Sequence, residues 1–118
     1  MLPNPSPRIV LASTSRWRRE MLRAAGIVAE SAAPDCDETS INPPNPRERA
    51  LARAAAKAEA ILATDALVIG ADQVCHLDGV VYSKPKSAED HRRQLRELRG
   101  RTHTLTDGVA VRGLGVNA

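Results

Sequence analysis

The stretch of residues 11–22, LASTSRWRREML, joins three hydroxyl side chains to a group of arginines. Either Ser13 or Ser15 is suited to cap the first free backbone N–H groups of a helix. Cations in the first turn of a helix are disfavoured by the helix dipole, by about 0.3–1 kcal/mol each, yet three arginines fall there: Arg16, Arg18 and Arg19. A bound phosphate would offset this cost, because N–H groups, hydroxyls and guanidiniums would all point at it. A solvated basic face without a ligand explains these residues as well.

An acidic residue follows a buried strand, the place where ligand sites gather in α/β sheets. The run ALVIGAD is continuously apolar and stops on Asp72. With phosphate on the arginine turn, Asp72 would position or deprotonate a water for attack on phosphorus. Basic side chains would offset the charge that builds on the phosphate oxygens, and the candidates are Arg18, Lys57 and Lys84. Carboxylates near phosphate require a divalent cation, and Mg²⁺ uses one or two carboxylates plus substrate phosphates.

Several of the candidate residues also have simpler explanations. The segment PDCDET contributes Asp35, Asp37 and Glu38, and a turn or cap role is the simpler reading of Asp35, Asp37 and Asp78. Lys57 shares a helix face with alanines, so its stem can lie on the core while its charge extends into a cleft or simply into solvent.

Several familiar signatures are missing from the sequence. It contains no GxxxxGK[ST], GxGxxG or HExxH motif. The spacing of the three histidines does not suit zinc, so each is expected to be structural. No aromatic platform accompanies the basic residues, which argues against a binder of single-stranded nucleic acid.

The elements that must position these residues alternate between strands and helices. Trp17, Met21 and Leu22 recur at helical spacing and predict the inner face of the first helix. Asn45, Pro46 and Glu48 predict the start of the second helix, and Ser87 is suited to cap the third. The predicted order is strand, helix, helix, strand, hairpin, helix, strand, over residues 8–12, 16–25, 46–63, 66–72, 74–82, 88–98 and 101–112. This pattern predicts an α/β fold with a mixed sheet.

Turn residues and the end of the chain complete the prediction. Asp78-Gly79 is typical of a two-residue type I′ hairpin turn, and Asp107-Gly108 predicts a bulge or bend in the last strand. Nothing in the sequence after that strand could pair with it or cover it. We therefore expect one domain over residues 1–118 that is cut short at its C-terminal end.

Composition limits the class of protein. The 118 residues suit one domain with a core of small side chains, because Phe is absent and Trp and Tyr occur once each. The formal charge of +3 favours an anionic partner. The start MLPNPSPR does not resemble a secretory leader, and no apolar run is long enough to span a bilayer. Cys36 and Cys75 are expected to be reduced, in a cytoplasmic protein.

Together, LASTSRWRREML, PDCDET, the Lys57 helix, GADQVCHLDG and SKP resemble the Maf family of nucleoside triphosphate pyrophosphatases, from about residue 8 to residue 111. The forms STS-x-WRR and ADQVC-x-LDG are similar to the subgroup that acts on 7-methyl-GTP. The resemblance implies a mixed twisted sheet with flanking helices, as in Maf and inosine triphosphate pyrophosphatase proteins. It also implies cleavage between the α and β phosphates with a divalent metal, Mg²⁺ or Mn²⁺.

The resemblance assigns roles by position. Asp72 matches the proton acceptor, and Trp17 and Gln73 match positions tied to base selection. A tryptophan could stack on a methylated, positively charged guanine. The alternative is that Trp17 anchors the first helix in the core. The phosphate and metal cluster is matched by Ser13, Arg18, Lys57 and Lys84 for phosphate and by Glu38 for metal.

Two departures from the family pattern stand out. Arg16 occupies a position where relatives usually carry proline, which adds a cation at the helix start. Family members also continue well beyond Ala118, so the chain resembles the N-terminal part of the family fold. Two other interpretations stay open: a noncatalytic nucleotide-binding remnant and a basic nucleic-acid-binding module. The sequence leaves a homodimer open and favours no membrane partner.

Overall fold

The computed structural model describes residues 7–118 and contains a six-stranded mixed sheet with three helices and a short 3₁₀ turn. The proline-rich start that was expected not to be a leader lies in residues 1–6, outside the described residues. The strands are β1 (Arg8–Leu11), β2 (Glu30–Ser31), β3 (Ala66–Leu77), β4 (Val80–Tyr82), β5 (Thr104–Gly113) and β6 (Val116–Asn117). The helices are α1 (Arg16–Ala24), α2 (Pro46–Ala60) and α3 (Ala88–Leu98). The predicted α/β class with a mixed sheet is confirmed.

The sheet order β2-β1-β3-β5-β6 places the first two helices on opposite faces. Strand β1 is parallel to both β2 and β3, and the chain crosses to β2 through α1 and returns to β3 through α2. Parallel connections are right-handed, so opposite directions of crossing put the two helices on opposite sides. The carboxyl end of β1 is therefore a topological switch point, where ligands bind in open α/β sheets.

Strand β3 has a different neighbour along each part of one edge. Its residues 66–69 pair with β1 and its residues 75–77 pair with β4, while β5 pairs along the other edge from Val68 to His76. The prediction that the strand ends at Asp72 is wrong, because the pairing with β5 carries it on to Leu77. Asp72 instead lies in the gap between β1 and β4.

Helix α2 packs unusually close to β3 and β5 through glycines. A Cβ on Gly70 would lie 2.0 Å from the Ala54 carbonyl oxygen, and one on Gly108 would lie 2.5 Å from that of Ala50. Small residues at these crossings let the helix backbone touch the sheet. The buried cluster under α2 consists of small side chains, as predicted: Val10, Ala12, Ala58, Ala66 and Val68.

The other helices are much less buried. Trp17 and Met21 are 69% and 68% exposed, so the prediction that they form a buried inner face of α1 is wrong. The helix is nevertheless capped as predicted, with Ser15 as the cap. Along the whole of α3 the structure places no residue in the core, although Ser87 caps it as predicted.

The two predicted turns have different outcomes. Asp78 and Gly79 both have positive φ, as a type I′ turn requires, and this prediction is confirmed. The predicted bulge at Asp107-Gly108 is wrong, because β5 keeps one unbroken register against β3. The expectation of an unpaired final strand is also wrong, since residues 116–117 fold back onto the end of β5.

Candidate active site

The turn between β1 and α1 gathers hydroxyls and one guanidinium around the start of the helix. The hydroxyl of Ser13 is buried and accepts a hydrogen bond from the Ser15 backbone N–H at 3.0 Å. The guanidinium of Arg18 folds back and donates to the same Ser13 Oγ at 3.4 Å. Ser15 in turn accepts from the Arg18 backbone N–H at 3.3 Å. Two of the predicted phosphate-binding residues, Ser13 and Arg18, are therefore in contact.

Arg16 behaves differently from Arg18. Its guanidinium lies 4.9 Å from the centre of the Trp17 ring, and it also lies 3.6 Å from Glu20. Arg16, Trp17 and Glu20 are each more than half exposed, and such exposed interactions are worth little. Arg16 is therefore directed towards Trp17 and Glu20, and the Ser13 hydroxyl is contacted by Arg18 instead.

Lys57 forms the centre of a buried charge cluster. Its ammonium lies 2.8 Å from Glu38 Oε2 and 3.1 Å from Asp72 Oδ1, and it donates to the Ala71 carbonyl at 3.2 Å. The ammonium therefore donates hydrogen bonds to Ala71 and Asp72 and forms an ion pair with Glu38. The lysine side chain is 11% exposed, so the alternative that it extends into solvent is not what the structure shows. Three predicted site residues, Glu38, Lys57 and Asp72, are thus brought together.

The two carboxylates of this cluster differ in their surroundings. The hydrogen-bonding contact from Lys57 holds the pKa of Glu38 below its usual value, against burial, which raises it. The Asp72 side chain is 9% exposed, and its Oδ2 is buried with no hydrogen-bond partner among the described residues. A buried carboxylate oxygen without a donor is costly. Asp72 Oδ2 is therefore an acceptor available for a ligand, a water or a cation.

Sequence reasoning missed the residues that hold Glu38 in place. Arg53 donates from Nε to the Ile41 carbonyl at 3.0 Å and from Nη2 to Asn42 Oδ1 at 2.9 Å. Arg49 donates to the Pro43 carbonyl at 3.0 Å. These bonds tie the loop that follows the 3₁₀ turn to α2. Their spacing was a usable signal, since residues 49, 53 and 57 follow one face of α2 at four-residue intervals.

Asp37 has a cap role, which is the simpler of the two roles that the sequence suggested for it. Its side chain caps the 3₁₀ turn Glu38–Ser40 by accepting from the Thr39 backbone N–H at 3.1 Å. Asp78 likewise lies in the hairpin turn, and Asp35 is exposed. Of the acids in PDCDET, only Glu38 contacts Lys57.

A cavity of about 570 Å³ lies between α1 and the sheet. Its floor is formed by the face of β3 and β5 that does not contact α2, and its wall is formed by α1. Asp72 and Arg18 are also among the residues that line it. The remaining lining is mostly apolar and includes Leu11, Met21, Leu22, Ile69 and Val109. An apolar cavity with a few charged groups is the usual form of a small-molecule site.

Both predicted base-selecting residues line this cavity. Trp17 lies on the α1 wall and Gln73 on the β3 floor. The alternative of Trp17 as a core anchor does not hold, given its exposure. Gln73 Nε2 donates to Asp107 Oδ1 at 2.9 Å, and Asp107 also lines the cavity. Sequence reasoning assigned Asp107 only to a bulge, because the pairing of residues 34 positions apart depends on strand register.

Lys84 does not join the cluster. It is exposed, in the loop between β4 and α3, and it is not among the described residues that line the cavity. The loop follows the strand that pairs with residues 75–77 of β3, on the same edge as Asp72. Its phosphate-binding role remains a prediction.

Residues 7–118 contain no group of three or more His, Cys, Asp and Glu side chains placed to hold a metal ion. The two carboxylates beside Lys57 still fit a divalent cation of the kind that takes most of its ligands from substrate phosphates and water. The buried Oε2 of Glu38, which has no hydrogen-bond partner among the described residues, is the observation that favours this fit. Glu38 is the residue that would hold such a cation.

In the part of the chain that the structure describes, no helix is both long enough and apolar enough to cross a bilayer.

Comparison with known proteins agrees with the fold and with the placement of the motifs. Residues 8–117 match the family model described as Maf-like protein. The protein named 7-methyl-GTP pyrophosphatase from Cupriavidus pinatubonensis is 44% identical over 113 residues, which is 94% of this chain. The chain spans 57% of the length of that relative. Because the family model covers nearly all of the sequence, the chain belongs to the Maf-like protein family.

Proposed function

We propose that this protein is a nucleoside triphosphate pyrophosphatase that hydrolyses the bond between the α and β phosphates of 7-methyl-GTP. The observation that carries the proposal is the buried Asp72 carboxylate, held by Lys57 on one oxygen and free on the other, at the edge of a cavity that Arg18 also lines. The similarity to a protein named 7-methyl-GTP pyrophosphatase supports the choice of substrate.

In this proposal Asp72 is the general base. Its free Oδ2 accepts a proton from a water molecule, whose oxygen attacks the α-phosphorus while the bond from that phosphorus to the bridging oxygen breaks. The products are the nucleoside monophosphate and pyrophosphate. Lys57 fixes the orientation of the carboxylate through Oδ1 and leaves Oδ2 free to take the proton.

The remaining basic groups bind the triphosphate. Arg18, the Ser13 hydroxyl and the N-terminus of α1 present donors to phosphate oxygens. Glu38 would hold a divalent cation, Mg²⁺ or Mn²⁺, which when bound neutralises charge on the triphosphate. Lys84 would reach the phosphates from the loop after β4. Trp17 and Gln73 would contact the base.

The location and the assembly state are part of the same proposal. Cys36 and Cys75 are both free thiols, which suits the reducing cytoplasm. A homodimer remains compatible with these observations, and neither a membrane nor a nucleic acid is a proposed partner.

The test is pyrophosphate release by the purified chain with Mg²⁺ or Mn²⁺, comparing 7-methyl-GTP, GTP, dTTP and UTP. We expect turnover to favour 7-methyl-GTP and to fall at least about 100-fold in Asp72→Asn, since the amide cannot take the proton. Asp78→Asn is the matched control, because Asn also suits the hairpin turn outside the cavity. It should retain activity.

Three other outcomes would contradict the proposal. A folded chain without turnover that still binds triphosphate would support the noncatalytic remnant. Turnover that persists in Asp72→Asn would remove the assigned base. Binding to nucleic acid that falls steeply with salt and is indifferent to Asp72→Asn would support the nucleic-acid-binding module.

A further inference from the structure

The pair formed by Gln73 and Asp107 presents a defined hydrogen-bonding edge to the cavity. The two residues lie directly opposite each other in the antiparallel pairing of β3 and β5, so their side chains are on the same face. Both residues are exposed and line the cavity, and Trp17 forms part of another wall of it. Nothing in the proposed hydrolysis uses Asp107.

The contact between the two side chains fixes which atoms remain free. Gln73 Nε2 donates to Asp107 Oδ1 at 2.9 Å. If the amide were turned the other way, its oxygen would face a carboxylate oxygen, and both atoms are acceptors. The carboxylate of Asp107 therefore determines that the amide nitrogen of Gln73 faces it. One N–H of the Gln73 amide is left to donate, and the carboxylate of Asp107 keeps free lone pairs on both oxygens. Apart from the Gln73 Oε1 acceptor, which the contact also leaves free, the pair therefore offers one donor followed by two acceptors.

This order is complementary to the Watson–Crick edge of guanine. Guanine presents the O6 acceptor, the N1–H donor and the N2 amino donor in sequence. Uracil and thymine present an acceptor, a donor and a second acceptor, so their last oxygen would face the carboxylate. Adenine presents a donor where the pair also has a donor. Hypoxanthine matches the first two positions and lacks the amino group.

We propose that Asp107 is a specificity-determining residue that selects guanine by accepting hydrogen bonds from its N1–H and N2 amino groups, with Gln73 donating to O6. This inference rests on the proposed function for its choice of a nucleotide ligand. Methylation at N7 leaves the Watson–Crick edge unchanged and adds a positive charge, which the carboxylate of Asp107 and the ring of Trp17 both favour. The Gln73 and Asp107 pair thus explains a preference for guanine, and the Trp17 ring explains a preference for its methylated form.

The test measures binding of nucleoside monophosphates, because they carry the base and the α-phosphate but offer no bond for a pyrophosphatase to cleave. Titration calorimetry would compare 7-methyl-GMP, GMP, IMP and UMP with the wild-type chain, Asp107→Asn and the control Asp78→Asn. We expect the wild type to bind GMP at least about tenfold more tightly than IMP or UMP, since each hydrogen bond to a charged group contributes a factor of about 10 to 100.

The substitution Asp107→Asn replaces one acceptor by a donor while keeping the size of the side chain. It should remove most of the preference for GMP over UMP, by about tenfold or more, and leave UMP affinity unchanged or higher. Asp78→Asn should keep the wild-type pattern. Equal weakening of all four ligands by Asp107→Asn, or a wild type without preference for guanine, would overturn the inference.

Comparison with pyrophosphate release separates this inference from the proposed function. Guanine-selective binding by a chain that releases no pyrophosphate would leave the role of Asp107 standing and remove the activity. Turnover with the same ratio of 7-methyl-GTP to UTP in the wild type and in Asp107→Asn would leave the activity standing and remove the role of Asp107.

Discussion

On the face of β3 that contacts α2, every side chain from Ala66 to Val74 is buried, whereas on the opposite face Gln73 is exposed and the side chains between are only partly covered. The buried face carries the Lys57 and Asp72 pair, and the open face carries the cavity with Trp17 and Asp107. Alternation along one strand therefore separates two tasks. Groups proposed to do chemistry are held rigidly, and groups proposed to recognise the base are accessible.

The difference follows from how each helix meets the sheet. Glycines 70 and 108 let the backbone of α2 approach β3 and β5 so closely that a methyl group would not fit. Helix α1 has no buried residue, and its largest apolar side chains face the cavity. Tight packing fixes Lys57 against Asp72, as preorganised charge requires. The open side leaves room for a planar ligand of the size of a nucleotide base.

The largest effect should come from the close approach on the α2 side. Gly70→Ala places a Cβ about 2.0 Å from the Ala54 carbonyl oxygen, so α2 must move away from β3. We expect a loss of about 3 kcal/mol in the free energy of unfolding, measured by urea denaturation. Gly26→Ala is the control: its φ is +83° with no atom within 4 Å of a new Cβ, so only backbone strain of about 1 kcal/mol applies. Equal losses in the two variants would mean that the glycine contact does not set the packing.

A smaller effect is expected from a substitution of Trp17 on the open side. It should change ligand affinity and not the free energy of unfolding. Trp17 is 69% exposed, so Trp17→Leu should change the free energy of unfolding by less than about 0.5 kcal/mol. The ratio of 7-methyl-GMP to GMP affinity should fall about threefold to tenfold, because Leu cannot make a cation–π contact. Trp17→Phe keeps a ring and should retain most of the ratio. A large loss of stability in Trp17→Leu would show that the two faces do not differ as described.

The smallest effect concerns the edge where the two regions meet, at Glu38. Contact with Lys57 lowers the pKa of Glu38 below its ordinary value of 4.5. The stability from this pair is therefore present above about pH 4.5 and is lost as the pH falls through the lower pKa of the folded state. With the Glu38 side chain 42% exposed, the gain should stay below about 1 kcal/mol.

The measurement compares the free energy of unfolding of the wild type and Glu38→Gln between about pH 6 and pH 3. The difference should shrink towards zero at the acid end. Glu59→Gln on the exposed side of α2 should show no such trend. A difference that grows as the pH falls would contradict the sign of the pKa shift.

Local sequence signals predicted the parts of the fold that depend on bonds between near neighbours. Ser15, Asn45 and Ser87 each cap a helix through the N–H three residues further on, and a cap needs only those residues. The Asp78-Gly79 turn is equally local. Residue chemistry suggested that Asp72 and Lys57 act on one phosphate, but their direct contact joins residues 15 positions apart and was not predicted.

By itself, the sequence determined the α/β class, the helix starts and the hairpin turn, and it supplied candidates for phosphate binding that remain predictions. Only the tertiary structure decided that β3 continues past Asp72, that Arg18 and not Arg16 contacts Ser13, and that Arg53 ties the Glu38 loop to α2. It alone placed Gln73 beside Asp107. The physical reason is strand register: caps and turns are set within a few residues, whereas contacts across a sheet exist only after distant strands have paired.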